Sequence, residues 1–415
     1  MSSQLDRHNS SENPTDSVPI GGAADRFDGP YNILFERLHS LHHTLNPPVG
    51  EKELRHFSTE EAAGLLGISN SYVQKLLTEL GYRDSLDVVS VPRGKTMMRP
   101  PIIHSMRDEL IARGSKAFNP RRRTEGGFSE KLQVIACANF KGGSGKTSTA
   151  VHLSQYLALR GFRVLAVDLD PQASLTTFLG FVSEYNVLEN ESIYAAMRYD
   201  SDRRPITDIV LQTYFPNLDL APASIELSEF ENDTALQITR QGGRLAFHRR
   251  LAEVIDDIEE HYDVVIVDCP PQLGFLTLTA MAASTGILVT VHPQMVDVLS
   301  TAQFLRMSSD LIRVIEQRAQ RIDLDWHKFL LTRHTPTDHS EQEMVGMLRE
   351  LLGDDVLENP VLFSSAINRA GLLRQTLYDV VPRDIDRRSY KRAKDSVDAA
   401  MAEVEALILQ TWGRG

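Results

Sequence analysis

The sequence predicts an α/β fold: a parallel sheet built around a variant phosphate-binding loop, preceded by a winged helix-turn-helix segment. Three observations carry this. From Leu132 onward, apolar runs of strand length alternate with helical patterns, as in a parallel sheet covered on both faces. Between the first run and its helix lies Ala138-Asn139-Phe140-Lys141-Gly142-Gly143-Ser144-Gly145-Lys146-Thr147-Ser148. Nearer the N-terminus, two short helical patterns meet at Gly67 and lead into a basic hairpin pattern.

A chain of 415 residues is long enough for two or three domains, and 42 % apolar content supports a sizeable core. A formal charge of −12 excludes a uniformly basic coat while leaving room for local basic blocks. The two cysteines, Cys137 and Cys269, sit in or at the end of apolar strand patterns, so buried free thiols are expected rather than disulfides or a metal cluster. No apolar run reaches the roughly 18 residues of a membrane span, and the first residues are polar. A soluble, cytoplasmic protein is expected.

Residues 1–28, rich in Ser, Asn, Asp, Pro and Gly, read as a disordered tail. Within 29–50, Tyr31, Leu34, Phe35, Leu38, Leu41 and His42 recur at helical spacing before Pro47-Pro48, an amphipathic helix for packing or dimerisation. The region 51–125 then reads as a DNA-binding domain. Ser58 and Glu61 make a capping box, Gly67 the turn, and Ser69 the cap of a second helix. That helix would present Ser69, Asn70, Ser71, Gln74 and Lys75 to a major groove. The next stretch, with Gly94 at a hairpin tip, reads as a wing carrying Arg93, Lys95 and Arg99. Nine Lys/Arg against two acids between Val91 and Arg123 suggest phosphate contacts. An ordinary helical hairpin with a solvated basic linker is the alternative.

The region 131–415 holds the strand-then-helix repeat, with strands expected at 133–138, 163–168, 264–269, 286–292 and 328–332. Residues 181–243 carry little periodicity. The last helix, over 390–409, has Val397, Met401, Val404 and Ile408 on one stripe.

The glycine-rich stretch supplies what a phosphate loop needs. Gly142, Gly143, Ser144 and Gly145 allow backbone N–H groups to curl around phosphates, Lys146 reaches the β/γ oxygens, and the Thr147 hydroxyl suits Mg²⁺. Ser148 continues into a helix over 148–159, whose positive N-terminal end favours anions. Two features are unusual: Phe140 replaces the first glycine, and a second lysine, Lys141, is added. With them, Lys141-Gly142-Gly143-x-Gly145-Lys146-Thr147 resembles the deviant Walker A motif of the ParA/MinD ATPases. The resemblance spans roughly residues 51–406 and is closest to the RepA proteins of repABC plasmids. It implies an ATP- and Mg²⁺-dependent homodimer that sandwiches two nucleotides, with Lys141 of each chain reaching the other's phosphates as an arginine finger does.

In that family a D-x-D-P-Q segment forms switch I, matched here by Asp168-Leu169-Asp170-Pro171-Gln172. The resemblance makes Asp170 the group that orients or deprotonates the attacking water, with Asp168 helping to hold the Mg²⁺ shell. Four apolar residues before Asp268 form the Walker B counterpart, so Asp268 is the candidate magnesium ligand beside Thr147. Pro293, Thr332 and Arg333 stand where relatives contact adenine. Arg369 and Arg374 open a second basic region, at the end of the sequence where ParA relatives bind DNA without sequence preference; a solvated basic face is the alternative.

The resemblance further implies a plasmid or chromosome partition ATPase, nucleoid-associated, stimulated by a ParB- or RepB-type centromere-binding protein and repressing its own operon through the N-terminal domain. Alternatives are a transcriptional regulator with a nucleotide switch and a membrane-cycling MinD-like ATPase. The acidic last helix lacks the basic amphipathic face that membrane cycling needs. An iron–sulfur electron carrier would need cysteines at a dimer interface, whereas both cysteines here belong to strand patterns.

Overall fold

A computed structural model describes residues 28–30, 32–34, 36–37, 52–91, 95–115, 121–124, 127–242, 245–318, 321–381 and 384–414. The chain forms two compact units, 1–48 and 49–415. The expected tail lies outside the described residues except at position 28, as does most of the expected helix over 29–50. Described positions within 28–37 are helical and exposed. Arg93 is also outside the described residues.

The second unit begins with strand β1 (Phe57–Ser58), helices α1 (Thr59–Leu66) and α2 (Asn70–Glu79), strands β2 (Val88–Val91) and β3 (Lys95–Met98), and helix α3 (Pro100–Ala112). Local chemistry explains the two starts and the turn. Ser58 accepts the Glu61 N–H while Glu61 accepts the Ser58 N–H, and Ser69 accepts the Tyr72 N–H. Gly67 ends α1 in the left-handed region at φ 60°, where a side chain would be strained. The hairpin β2–β3 adds β1 on its β3 side, making a three-stranded antiparallel sheet.

The core of this segment is continuous with that of the rest of the unit. Leu66, Leu76, Ile103 and Met106 belong to the same buried cluster as Leu153, Leu157 and Trp412. Part of the basic block turns inward with it. Arg107 and Arg121 are each only 3 % exposed. Arg99 is paired with Glu53 and Asp87, and Arg113 with Glu79 and Glu109.

The main sheet runs through β4 (Gln133–Ala138), β5 (Val164–Asp168), β6 (Leu211–Gln212), β7 (Leu218–Ala221), β8 (Val264–Asp268), β9 (Gly286–Val291) and β10 (Trp326–Leu331). Its spatial order is β10-β9-β4-β8-β5-β7-β6. Six strands are parallel, but the edge strand β6 pairs antiparallel with β7, which corrects the expectation of an all-parallel sheet. Both β6 and β7 come from 181–243; strands of two and four residues are too short to show a period. The last expected strand starts two residues earlier and leaves Thr332 beyond its end.

Alternation places Ile135, Cys137, Ala166 and Ile266 in one apolar layer and Val134, Ala136, Leu165 and Val265 in the other. Among the described residues, the helices of eight residues or more that follow β4 are α4 (Lys146–Arg160), α5 (Glu229–Arg240), α6 (Phe275–Ala283), α7 (Met295–Arg318), α8 (His339–Leu352), α9 (Ser365–Leu372) and α10 (Arg387–Thr411). Helix α4 begins at Lys146, two residues before the expected start, because the end of the glycine-rich loop is already its first turn. No helix among the described residues is long and apolar enough to cross a membrane.

Candidate nucleotide and metal site

Strand β4 ends at Ala138 and α4 starts at Lys146, so seven residues must turn the chain above the sheet. Gly143 and Gly145 make that possible at φ 77° and 91°. A Cβ on Gly145 would also approach Thr332 to 3.4 Å. The loop is bolted to the neighbouring strand ends. Asn139 donates to the Thr290 carbonyl at 2.8 Å and to the Thr301 hydroxyl at 3.0 Å, while its own oxygen accepts the Lys141 N–H. The Ser144 and Thr290 hydroxyls lie 2.9 Å apart. Thr332 donates to the Ser144 carbonyl, and Arg333, at φ 54°, donates to the Gly143 carbonyl. Thr332 and Arg333, expected at the base, are thus engaged with the backbone of the phosphate loop. Pro293 is buried just past the end of β9.

The loop points the first turn of α4, with its unpaired N–H groups, toward the carboxyl ends of the central strands. Lys146 is buried there, its Nζ donating to the Lys141 carbonyl at 3.2 Å. Burial lowers its pKa, opposed by the charges of Asp268 and Asp170.

Strands β5 and β8 are in register with Asp168 beside Asp268, and Cys137 of β4 flanks Asp268 on the other side. Both carboxylates are fully buried, yet their surroundings differ. Asp168 accepts the N–H and hydroxyl of Thr176 at 2.8 Å and the Asp170 N–H at 3.1 Å. Its pKa is pushed up to about 7, chiefly by burial. Neither oxygen of Asp268 has a hydrogen-bond partner. Burial, then the neighbouring Asp168, push its pKa well above the usual range; the Thr147 hydroxyl is near enough to ease its charge but too loosely placed to form a hydrogen bond. Asp170 is half-buried at the turn that follows, accepting the Gln172 N–H. Cys137 and Cys269 are buried free thiols, as expected, and burial raises the pKa of both.

An orphaned buried carboxylate beside a hydroxyl fits a hard cation that keeps most of its waters, as Mg²⁺ does. It does not fit a protein cage: among the described residues no group of three or more His, Cys, Asp or Glu could hold a metal.

Lys141 is half-buried with its Nζ 2.8 Å from Asp297 Oδ1. Asp297 was not expected in the site, nor were Asn139, His292, His334 and Glu341. A lone acid in the first turn of a helix carries no local signal of such a role.

The expected DNA-contacting residues are placed unevenly. Ser69, Asn70, Ser71, Lys75 and Lys95 are exposed, and Gln74 is half-buried against Thr59. Arg99 is held by its two acids. Arg369 is exposed on α9, whereas Arg374 is half-buried at φ 53° with an enclosed Nη1 that has no hydrogen-bond partner.

A protein family described as an AAA domain matches residues 132–321. A putative replication protein A from Rhizobium rhizogenes is 46 % identical over 386 residues, covering 92 % of this chain and 94 % of the relative. The chromosome partitioning protein ParA of Myxococcus xanthus is 31 % identical over 248 residues, 60 % of this chain and 80 % of that one. A solved partition-protein structure superposes with a TM-score of 0.60 at 18 % identity, covering 92 % of this chain and 98 % of its own; it speaks for the fold alone.

Proposed function

Since this chain belongs to the ParA family of partition ATPases, we propose that it binds ATP with Mg²⁺ at the β4–α4 loop as a two-chain sandwich and hydrolyses it slowly. The observation that carries this reading is Asp268, buried without a partner beside Thr147 and Lys146 at the positive end of α4. Lys146 and the loop N–H groups bind the β/γ phosphates. Thr147 and Asp268 hold the metal, with Asp168 behind them. Magnesium, when bound, would neutralise charge on the phosphate oxygens. Asp170, at the mouth of the site, orients the attacking water. Lys141 reaches across to the second chain's phosphates.

In the ATP state the dimer binds bulk DNA through the basic surface around Arg369 and Arg374, keeping the protein on the nucleoid, and a ParB- or RepB-type partner stimulates turnover. The helix pair reads an operator through Asn70, Ser71, Gln74 and Lys75, with Lys95 on the hairpin, and so represses the protein's own operon.

A second reading, a regulator whose nucleotide mainly switches operator binding, is favoured by two contacts. The far end of α4 is tied to the segment that carries the helix pair: Arg107 of α3 donates to the Leu159 carbonyl, and Arg160 of α4 donates to the Leu65 carbonyl of α1. ATP turnover measured with and without DNA and a ParB-type protein from the neighbouring gene separates the two. Stimulated turnover is expected; no turnover under any condition would leave only the switch.

A further inference from the structure

We propose that Asp297 is the resting seat of Lys141 on its own chain, and that His292 and Glu341 are positioning residues that hold this seat. The inference rests on reading Lys141 as the lysine that crosses to a second chain.

The geometry is a line of alternating groups running inward from the phosphate loop. Lys141 Nζ lies 2.8 Å from Asp297 Oδ1, and Asp297 Oδ2 lies 3.0 Å from His292 Nδ1. The opposite ring nitrogen of His292 lies 3.4 Å from Glu341 Oε1. The other oxygen of Glu341 accepts the Thr335 N–H at 2.6 Å and faces His334 Nδ1 at 3.2 Å. Side-chain exposure falls along the line from 37 % at Lys141 through 15 % and 11 % to 4 % at Glu341. The inner members come from the ends of β9 and β10 and the first turn of α8, so they are fixed by the sheet.

Exposed ion pairs contribute little because two long side chains must be ordered to make them. Here the carboxylate is already ordered from behind. A second thread does the same for the backbone: Thr301 donates to the Asp297 carbonyl, and Asn139 ties Thr301 to the Lys141 N–H. The lysine is therefore the movable partner. Seated on Asp297, its charge is matched within its own chain, and it reaches a second chain's phosphate only by leaving that carboxylate. Exchanging one oxyanion for another is close to balanced, so a modest change in the seat should shift the dimerisation threshold.

The test uses the full chain with a non-hydrolysable ATP analogue and Mg²⁺, reading dimerisation by sedimentation. In Asp297→Asn the protein concentration for half-dimerisation should fall about three- to tenfold, with analogue affinity of the single chain unchanged. His292→Gln should shift it in the same direction by less. A residue needed only for folding would raise the threshold instead, and a raised or unmoved threshold in both variants overturns the proposal. Urea unfolding of nucleotide-free Lys141→Ala, Asp297→Asn and the double variant gives an independent reading. The double variant should lose no more stability than the larger single loss, whereas simple additivity would overturn the seat. If the unaltered chain never dimerises with the analogue, the sandwich reading fails, while the unfolding comparison still decides whether the seat exists.

Discussion

The carboxyl edge of the central strands and the basic stretch that follows the helix pair both stand out in the sequence by charge, and the folded chain treats the two differently. At the sheet edge, charge is buried and left over: Asp268 has no hydrogen-bond partner, and Asp168 beside it is pushed up to about 7 by burial. In the basic stretch around α3, much of the charge is used up. Arg99 and Arg113 are each held by two acids, and Arg107 is buried against the end of α4. Desolvating a charge is costly, so a fold keeps an unmatched one where a ligand completes it. What marks chemistry is therefore the charge that packing leaves unmatched, more than the charge the composition supplies.

The sharpest way to break this contrast is at Lys146. Lys146→Gln should weaken ATP binding by about a thousandfold or more, since the phosphate charge loses its matched donor; calorimetric titration showing near-normal affinity would remove the site. Asp170→Ala should bind ATP within about threefold of the unaltered chain but turn over about a hundredfold more slowly, because the residue acts on water. Single-turnover kinetics separate binding from chemistry here.

The third prediction concerns pH in the nucleotide-free protein. Asp168 keeps its proton up to about 7 when folded but only to 3.8 as an ordinary carboxyl. Between those values the unfolded chain binds fewer protons, so stability falls as pH rises from about 4 to about 7. Urea midpoints across that range should show the slope, and Asp168→Asn should reduce it without abolishing it, because the buried Asp268 is raised in the same direction. The smallest effect belongs to the helix pair. Replacing Asn70, Ser71 and Lys75 with alanine should cost no more than about 0.5 kcal/mol, whereas Arg107→Ala alone should cost about 2 kcal/mol. Equal losses would mean that the exposed groups also serve the fold.

The amino-acid sequence by itself determined the strand–loop–helix around Lys146, the strands that end at Asp168 and Asp268, and the capped helices on either side of Gly67. Each is written in neighbouring residues: an apolar run, a pair of glycines able to take positive φ, a serine three positions before a glutamate. Only the tertiary structure decided which of two adjacent carboxylates would be satisfied. Thr176 reaches Asp168, and no comparable donor reaches Asp268. It also turned Arg107 inward, set an antiparallel strand on the sheet edge, joined Thr332 and Arg333 to the phosphate loop, and brought Asp297 to Lys141. The reason is common to all of these. Burial and pairing depend on neighbours far away along the chain, and a local pattern fixes a residue's conformation without fixing who stands opposite it.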